Sequence, residues 1–371
     1  MGRVDSLAPR VGIDLGTTFC SVAWVNQAGE AEVIPDSFGN QAIPSVICFN
    51  GREAYVGAKA CERKATNPNS IYEFVKCDIG KPVQSTGSRH EGELAAAPYE
   101  VGGYKYGAAG MSAMILRYLK KQAVRYFRGK GLVSESDDRK VMLDAIITVP
   151  AYFGDIERQE TRLAGKAAGL RVVGMICEPT AAAVAYGLTR RTDQLILVVD
   201  LGGGTFDVTL LEMRGGKATV LATRGDNSLG GKDFDQLIRA YIYHEAHRQT
   251  GQDVEENRGF EIQQLAIQAK HKLSEDGATE VVLTHADADL TIPLWRRPAE
   301  ALDLMDEIAL QDERFYFEER SRDLLNRCRA LCEAIFDKAS AHRTLSGRQI
   351  DWVDIDEIVL AGGSCRMPMI A

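Results

Sequence analysis

Two Asp-Leu-Gly turns are the residues of this sequence best suited to chemistry. Residues 11–25 read VGIDLGTTFCSVAWV and residues 196–210 read ILVVDLGGGTFDVTL. In each, an apolar strand ends in Asp, a run of small residues follows, and a second alternating apolar strand begins. Backbone N–H groups of Thr17, Thr18, Gly203 and Gly204 can then reach phosphate oxygens with no side chain in the way, forming an anion-binding nest. Asp14 and Asp200 at the strand ends suit Mg2+ held through its waters, because this ion dehydrates reluctantly and takes few direct protein ligands. One such turn alone reads as an ordinary Gly-rich hairpin. The pair reads as a phosphate tweezer.

The elements that position these turns follow from their spacing. Asp14 and Asp200 are 186 residues apart, about half of the 371-residue chain, which implies two duplicated α/β lobes facing each other. A Walker-type loop or a dinucleotide fold runs from its Gly-rich turn into a helix and carries GxxxxGK[ST] or GxGxxG. Neither pattern occurs here, and both turns run strand to strand. The expected lobes are residues 1–190, with a smaller subdomain inserted at about 48–110, and residues 191–371, with one at about 232–312.

Between the turns, residues 145–149 (AIITV) read as a buried strand closed by Pro150. A helix is expected over 155–168 with Asp155 as N-cap, then a strand over 171–177, then a helix opened by Pro179. The Gly/Ser/Ala-rich tract 84–98 reads as a mobile loop and residues 225–231 as a loop. Helical spacing recurs at Phe234–Ile242 and Ile262–Leu273, a hairpin pattern at 279–294, and an amphipathic helix at about 315–341. A strand at Ile358–Ala361 leads to Gly362, Gly363 and Ser364, and the end soon after reads as a truncation, with no room for a β-sandwich peptide domain.

Composition narrows the function. Net charge is −8, which disfavours a nucleic-acid grip built on clustered Lys and Arg. The eight cysteines are scattered without a Cys-x-x-Cys pair, and Cys328 and Cys332, one helical turn apart, read as core residues. No apolar run approaches the length of a membrane span, and the N-terminus lacks the apolar segment of a signal peptide. Free thiols without an export signal point to the cytoplasm.

The segments IDLGTTFCSVA, IITVPAYFGDIERQETRLAGKAAGL, CEPTAAAVAYGL, VVDLGGGTFDVTLLE, GDNSLGGKDFD and IVLAGGSCRMP resemble the signatures of the heat-shock-protein-seventy (DnaK-type) chaperone ATPase domain, in that family's order. Actin and sugar kinases share the two phosphate turns but not EPTAAAVAYGL or LGGKDFD. The resemblance implies the α/β actin-like ATPase fold (ribonuclease H-like, duplicated), two lobes of two subdomains around a nucleotide cleft, binding ATP or ADP with Mg2+. It implies client proteins, a J-domain protein and a nucleotide-exchange factor as partners, and neither nucleic acid nor membrane.

Residue by residue, the resemblance implies a catalytic set of Lys76, Glu178, Asp200 and Thr205. A lysine ammonium can neutralise a transferring phosphoryl group and place the attacking water, and a glutamate can orient that water. Nucleotide contacts fall on Gly16, Thr17, Thr18, Phe19, Gly202, Gly203, Gly204, Gly230, Lys270, Ser274, Gly362, Gly363, Ser364 and Arg366. Asp14 and Asp200 match the metal-water ligands, and Pro150, Arg158 and Asp207 an interlobe relay. Ile267 and His271 stand where the family has a glutamate and an arginine on the nucleoside, and Cys365 where it has a threonine. Other readings are an actin-like filament or scaffold ATPase, a small-molecule kinase of the same superfold, and a nucleotide-binding relative without catalysis. Retention of Asp14, Lys76, Glu178 and Asp200 opposes the last.

Overall fold

The structure is a computed structural model that describes residues 9–51, 53–64, 66–67, 70–81, 99–101, 103–134, 136–138, 140–187, 193–215, 217–286, 288–297, 315–339 and 349–371. The tract 84–98, expected to be a loop, lies outside these residues. The chain divides into two compact units, Met1–Arg191 and Thr192–Ala371.

The first unit is built on a six-stranded mixed sheet. Strands β1 (Arg10–Asp14) and β2 (Phe19–Val25) form the first Asp-Leu-Gly hairpin, and β3 (Ala31–Val33) and β4 (Ile43–Pro44) both pair with β2. A smaller part follows, with β5 (Ile47–Asn50), β6 (Glu53–Val56), α1 (Ala58–Glu62), β7 (Ile71–Tyr72), β8 (Tyr99–Val101) and β9 (Tyr104–Tyr106). Helix α2 (Ala108–Gly129) then returns to the main sheet, burying Met111, Ile115, Leu119 and Phe127 on one face. Full burial of a side chain such as Phe127 contributes about 1.5–3 kcal/mol.

Strand β10 (Asp144–Val149) runs parallel to β1 and places Ile147 beside Ile13. Helix α3 (Asp155–Ala167) crosses back to β11 (Arg171–Cys177), which is parallel to β10 and leads directly into α4 (Glu178–Gly187). These are right-sized βαβ connections for parallel strands. Asp155 is not the N-cap that the sequence suggests. Gly154 occupies that place, with no side-chain cap, and Asp155 lies in the first turn, where its charge meets the positive helix end.

The second unit repeats the plan. Strands β12 (Gln194–Leu201), β13 (Phe206–Arg214) and β14 (Lys217–Asp226) form an antiparallel meander. Helices α5 (Gly231–Thr250) and α6 (Gly259–Asp276) follow, then the hairpin β15 (Ala278–His285) and β16 (Ala288–Trp295). The expected loop 225–231 is shorter than predicted, because Gly225 and Asp226 continue β14 opposite Asp207 and Phe206.

The single helix expected over 315–341 is two, α7 (Phe317–Arg320) and α8 (Arg322–Lys338), with residues 340–341 outside the described set. Tyr316 is extended and bridges to Trp295, which delays the start, and buried Ser321 at φ −87°, ψ 0° marks the break. Strand β17 (Glu357–Ala361) closes the sheet parallel to β12. Leu197, Val208, Phe234, Ile262 and Ile335 share the core of this unit.

Candidate active site

In the first unit, Asp14 ends β1 and its carboxylate accepts from Thr148 Oγ1 on β10 at 2.8 Å. The small residues after it turn the chain into β2. Thr17 is buried, and Thr18 Oγ1 is a buried hydroxyl with no hydrogen-bond partner among the described residues. Buried hydroxyls are normally satisfied, so this one is left over for something the chain itself does not supply. Phe19, at the end of the turn, is exposed.

Lys76 reaches the same unit's interior by a local distortion. Phe74 adopts left-handed backbone angles, φ 57° and ψ 22°, and a single 3-10 turn, Val75–Asp78, then directs Lys76 inward, where it is 7% exposed. A left-handed aromatic residue costs roughly 1–3 kcal/mol and persists only where its surroundings hold it. The Lys76 ammonium meets Glu178 Oε1 at 2.5 Å. Glu178 is the first residue of α4, where the helix dipole favours a carboxylate.

Asp14 and Lys76 both act on the thiol of Cys20, which burial pushes up to about 12. Behind Glu178, Arg158 donates from Nε to the Phe153 carbonyl at 2.9 Å and from its terminal nitrogen to Cys177 Sγ at 3.3 Å. The Phe153 N–H in turn donates to the Pro150 carbonyl at 3.2 Å. Pro150, Arg158 and Glu178 are thus joined by a short series of contacts through Phe153 and Cys177.

In the second unit the turn after Asp200 is pinned on its carbonyl side. Gly202 N–H donates to the Thr205 carbonyl, closing the turn at 2.9 Å. The Gly202 carbonyl accepts from Gly231 N–H and Ser364 Oγ, each at 2.9 Å, and the Gly203 carbonyl accepts from Lys232 N–H at 2.8 Å. In a trans peptide the N–H points opposite to the carbonyl. The N–H groups of Gly203 and Gly204 therefore face away from α5, as an anion-binding nest requires.

Two glycines make this close approach possible. A Cβ on Gly230 would stand 2.5 Å from the Gly204 backbone, and a Cβ on Gly362, at φ +82°, would stand 2.5 Å from Asp200 Oδ1. Asp200 is held between its neighbours, opposite Asp207 on β13 and Ala361 on β17. Asp207 itself is buried.

The residues expected on the nucleoside behave differently. Lys270 is buried, pairs with Asp235 Oδ1 at 2.7 Å and donates to the Gly231 carbonyl at 3.0 Å, so its charge anchors α6 under the first turn of α5. Ser274 donates back to the Lys270 carbonyl at 3.0 Å. Gly362 and Gly363 are exposed, and Arg366 lies exposed on the 3-10 turn Gly363–Arg366. Partial burial, and then the neighbouring Lys270, hold the His271 imidazole below its usual range. An imidazole in any case lacks the forked donor set of a guanidinium and does not replace one.

Sequence patterns missed four partners of the expected site residues: Ser45 on Gly16, Thr148 on Asp14, Cys177 on Arg158 and Asp235 on Lys270. Thr148 and Cys177 lie beside positions already singled out, at the end of β10 and before Glu178, and Asp235 lies inside LGGKDFD. Ser45 carries no local signal beyond following Pro44. Among the described residues no group of three or more His, Cys, Asp or Glu could hold a metal ion directly.

Residues 10–371 match the family model described as Hsp70 protein. The chain belongs to the Hsp70 family, with that family's actin-like ATPase fold, and is a chaperone ATPase domain that hydrolyses ATP.

Proposed function

We propose that this Hsp70-family chain hydrolyses ATP in a Mg2+-dependent reaction in which Lys76 and Glu178 act on the transferring phosphoryl group and the attacking water. The observation that carries this reading is the Lys76–Glu178 ion pair, 2.5 Å long, in which the lysine is buried and the glutamate half-buried. The turns at 16–19 and 202–205, with Gly230 behind the second, take the phosphates. Thr205, whose carbonyl closes its turn, lies with its hydroxyl beside Gly202 and is assigned to the γ-phosphate side.

The donor chemistry in each unit suits Mg2+: Asp14 and Asp200 are hard oxygen donors at strand ends, Thr18 Oγ1 is a buried oxygen without a partner among the described residues, and a water-shelled ion needs no larger cluster. When bound, Mg2+ supplies neutralisation of phosphate charge. The chain's own residues do the rest. Glu178 orients a water, whose oxygen bonds to the γ-phosphorus as the bond to the bridging oxygen of ADP breaks, the water's protons leaving with the phosphate as dihydrogen phosphate. Lys76 stabilises the charge that redistributes over the phosphoryl oxygens.

Pro150, Arg158 and Asp207 are assigned to transmitting nucleotide state, the first two through Phe153 and Cys177 to Glu178. On the nucleoside side Gly362, Gly363, Ser364 and Arg366 line the site, and Lys270 and Ser274 shape it through α5 and α6. Adenosine affinity is weak for the family, because Ile267 and His271 supply neither carboxylate nor guanidinium. Lobe boundaries near residue 190 and inserted subdomains at about 48–110 and 232–312 belong to the same reading. So do client proteins, a J-domain protein and an exchange factor as partners. Eight free cysteines fit a reducing cytoplasm.

Phosphate release from ATP by the purified chain, with Mg2+ and with excess chelator, tests the reading. Release that depends on Mg2+ is expected. Release at the same rate in chelator contradicts it.

A further inference from the structure

The two phosphate turns are alike in sequence but differ in how they are held. In the second unit the turn carbonyls are gripped by the N-terminus of α5 and by Ser364. No helix N-terminus performs that task among the contacts of the first turn. One residue does. Ser45, which follows β4 and is 2% exposed, donates from its hydroxyl to the Gly16 carbonyl at 2.7 Å and from its N–H to the Thr18 carbonyl at 2.8 Å.

These two bonds fix the direction of two peptide planes. With no cis peptide in the described chain, the Thr17 N–H points opposite to the Gly16 carbonyl, and the Phe19 N–H opposite to the Thr18 carbonyl. Both donors are thereby turned away from Ser45, toward the open side of the turn. We infer that Ser45 is a positioning residue for ATP hydrolysis, acting through the backbone N–H groups of the first phosphate turn. The inference rests on the reading that this turn takes the phosphates.

Cys20 extends the arrangement. Its Sγ lies 2.9 Å from Ser45 Oγ, and the Ser45 hydrogen is already committed to Gly16. The thiol donates to the same Gly16 carbonyl at 3.6 Å, so both side chains act on the peptide plane that directs the Thr17 N–H. Burial keeps this thiol protonated at neutral pH, so the donor is always present. Neither side chain touches the proposed ligand. Their effect is on donor direction, which matters most when charge builds up on the phosphoryl oxygens.

The test compares the parent chain with Ser45→Ala and Ser45→Thr. Each is measured for folded fraction and melting by circular dichroism, for ATP affinity by calorimetry, and for single-turnover hydrolysis per folded molecule. The alanine variant loses the hydroxyl bond but keeps the N–H bond. Its turnover is expected to fall by about 10-fold or more, since donor misplacement on the order of 1 Å costs up to about 100-fold, while ATP affinity falls less than about threefold. The threonine variant retains the hydroxyl and is expected within about threefold of the parent. Alanine turnover equal to the parent overturns the inference. So does loss of turnover in proportion to loss of folded protein, which makes Ser45 a folding residue only. Absence of hydrolysis in the parent itself is a failure of the underlying functional reading instead.

Discussion

The Lys76 ammonium lies 2.5 Å from the Glu178 carboxylate, although the two residues are 102 positions apart. Lys76 arrives from a 3-10 turn behind a left-handed Phe74, and Glu178 from the junction of β11 and α4. Removing two charges from water is costly unless they meet each other and further partners. Glu178 opens α4, where the helix dipole adds to the attraction of Lys76. In the proposed reaction such a pair is preorganised, since its charges need not reorient as phosphoryl transfer proceeds.

Binding should depend on the phosphates rather than the base. Calorimetric titration is expected to give much tighter binding of ATP than of adenosine, and tighter binding with Mg2+ than without it. Equal affinity for ATP and adenosine contradicts the assignment of both Asp-Leu-Gly turns.

Gly230→Ala should weaken hydrolysis out of proportion to stability. Its Cβ would meet the Gly204 backbone at 2.5 Å, which cannot be relieved by a side-chain rotation. The second turn must shift, and turnover is expected to fall by about 10-fold or more. A variant that hydrolyses ATP at the parent rate shows that this turn tolerates displacement and is not the phosphate cradle.

Restoring charge on the nucleoside side should tighten binding. The His271→Arg, Ile267→Glu double variant introduces two groups that can hydrogen-bond with charge, each worth about 1.5–3 kcal/mol where well placed. Calorimetry with ATP is the measurement. Unchanged affinity places the nucleoside elsewhere.

Away from the site, Glu32 predicts a pH dependence of stability. Its carboxylate accepts from Trp24, Asn26, Tyr126 and Lys130, tying the β2–β3 hairpin to the end of α2. Hydrogen bonds from Asn26 first, then Tyr126 and Lys130, lower its pKa from 4.5 to about 2. A group lowered on folding stabilises the fold above its unfolded pKa and loses that contribution as pH falls through the folded one. The melting temperature of the parent should therefore exceed that of Glu32→Gln at neutral pH, and the gap should close from about pH 4.5 to about pH 2. A gap constant over that window means that the charge on Glu32 contributes nothing.

The hairpins at Asp14 and Asp200, the parallel strands β10 and β11, and helices α5 and α6 were legible because their signals are local. Apolar alternation, Gly-rich turns and helical spacing all lie within a few residues of the feature they specify. What the pattern hides is partnership. Nothing near Ser45 shows that it holds Gly16, 29 residues away, nor anything near Thr148 that it holds Asp14, 134 residues away. The resemblance assigns Lys270 to the nucleotide, and only the fold shows Asp235 and the Gly231 carbonyl beside it. The break at Ser321 was invisible for another reason. One residue with bridge-region angles leaves the amphipathic spacing on either side intact.

In the proposed reaction the Lys76 charge serves catalysis and not ATP binding. Single-turnover hydrolysis by Lys76→Ala, set beside its ATP affinity, separates the two. Turnover is expected to fall by at least about 100-fold with affinity largely retained, as for a positioned charge that acts on the transition state. Hydrolysis at the parent rate would contradict the account, leaving the Lys76–Glu178 pair as a structural contact.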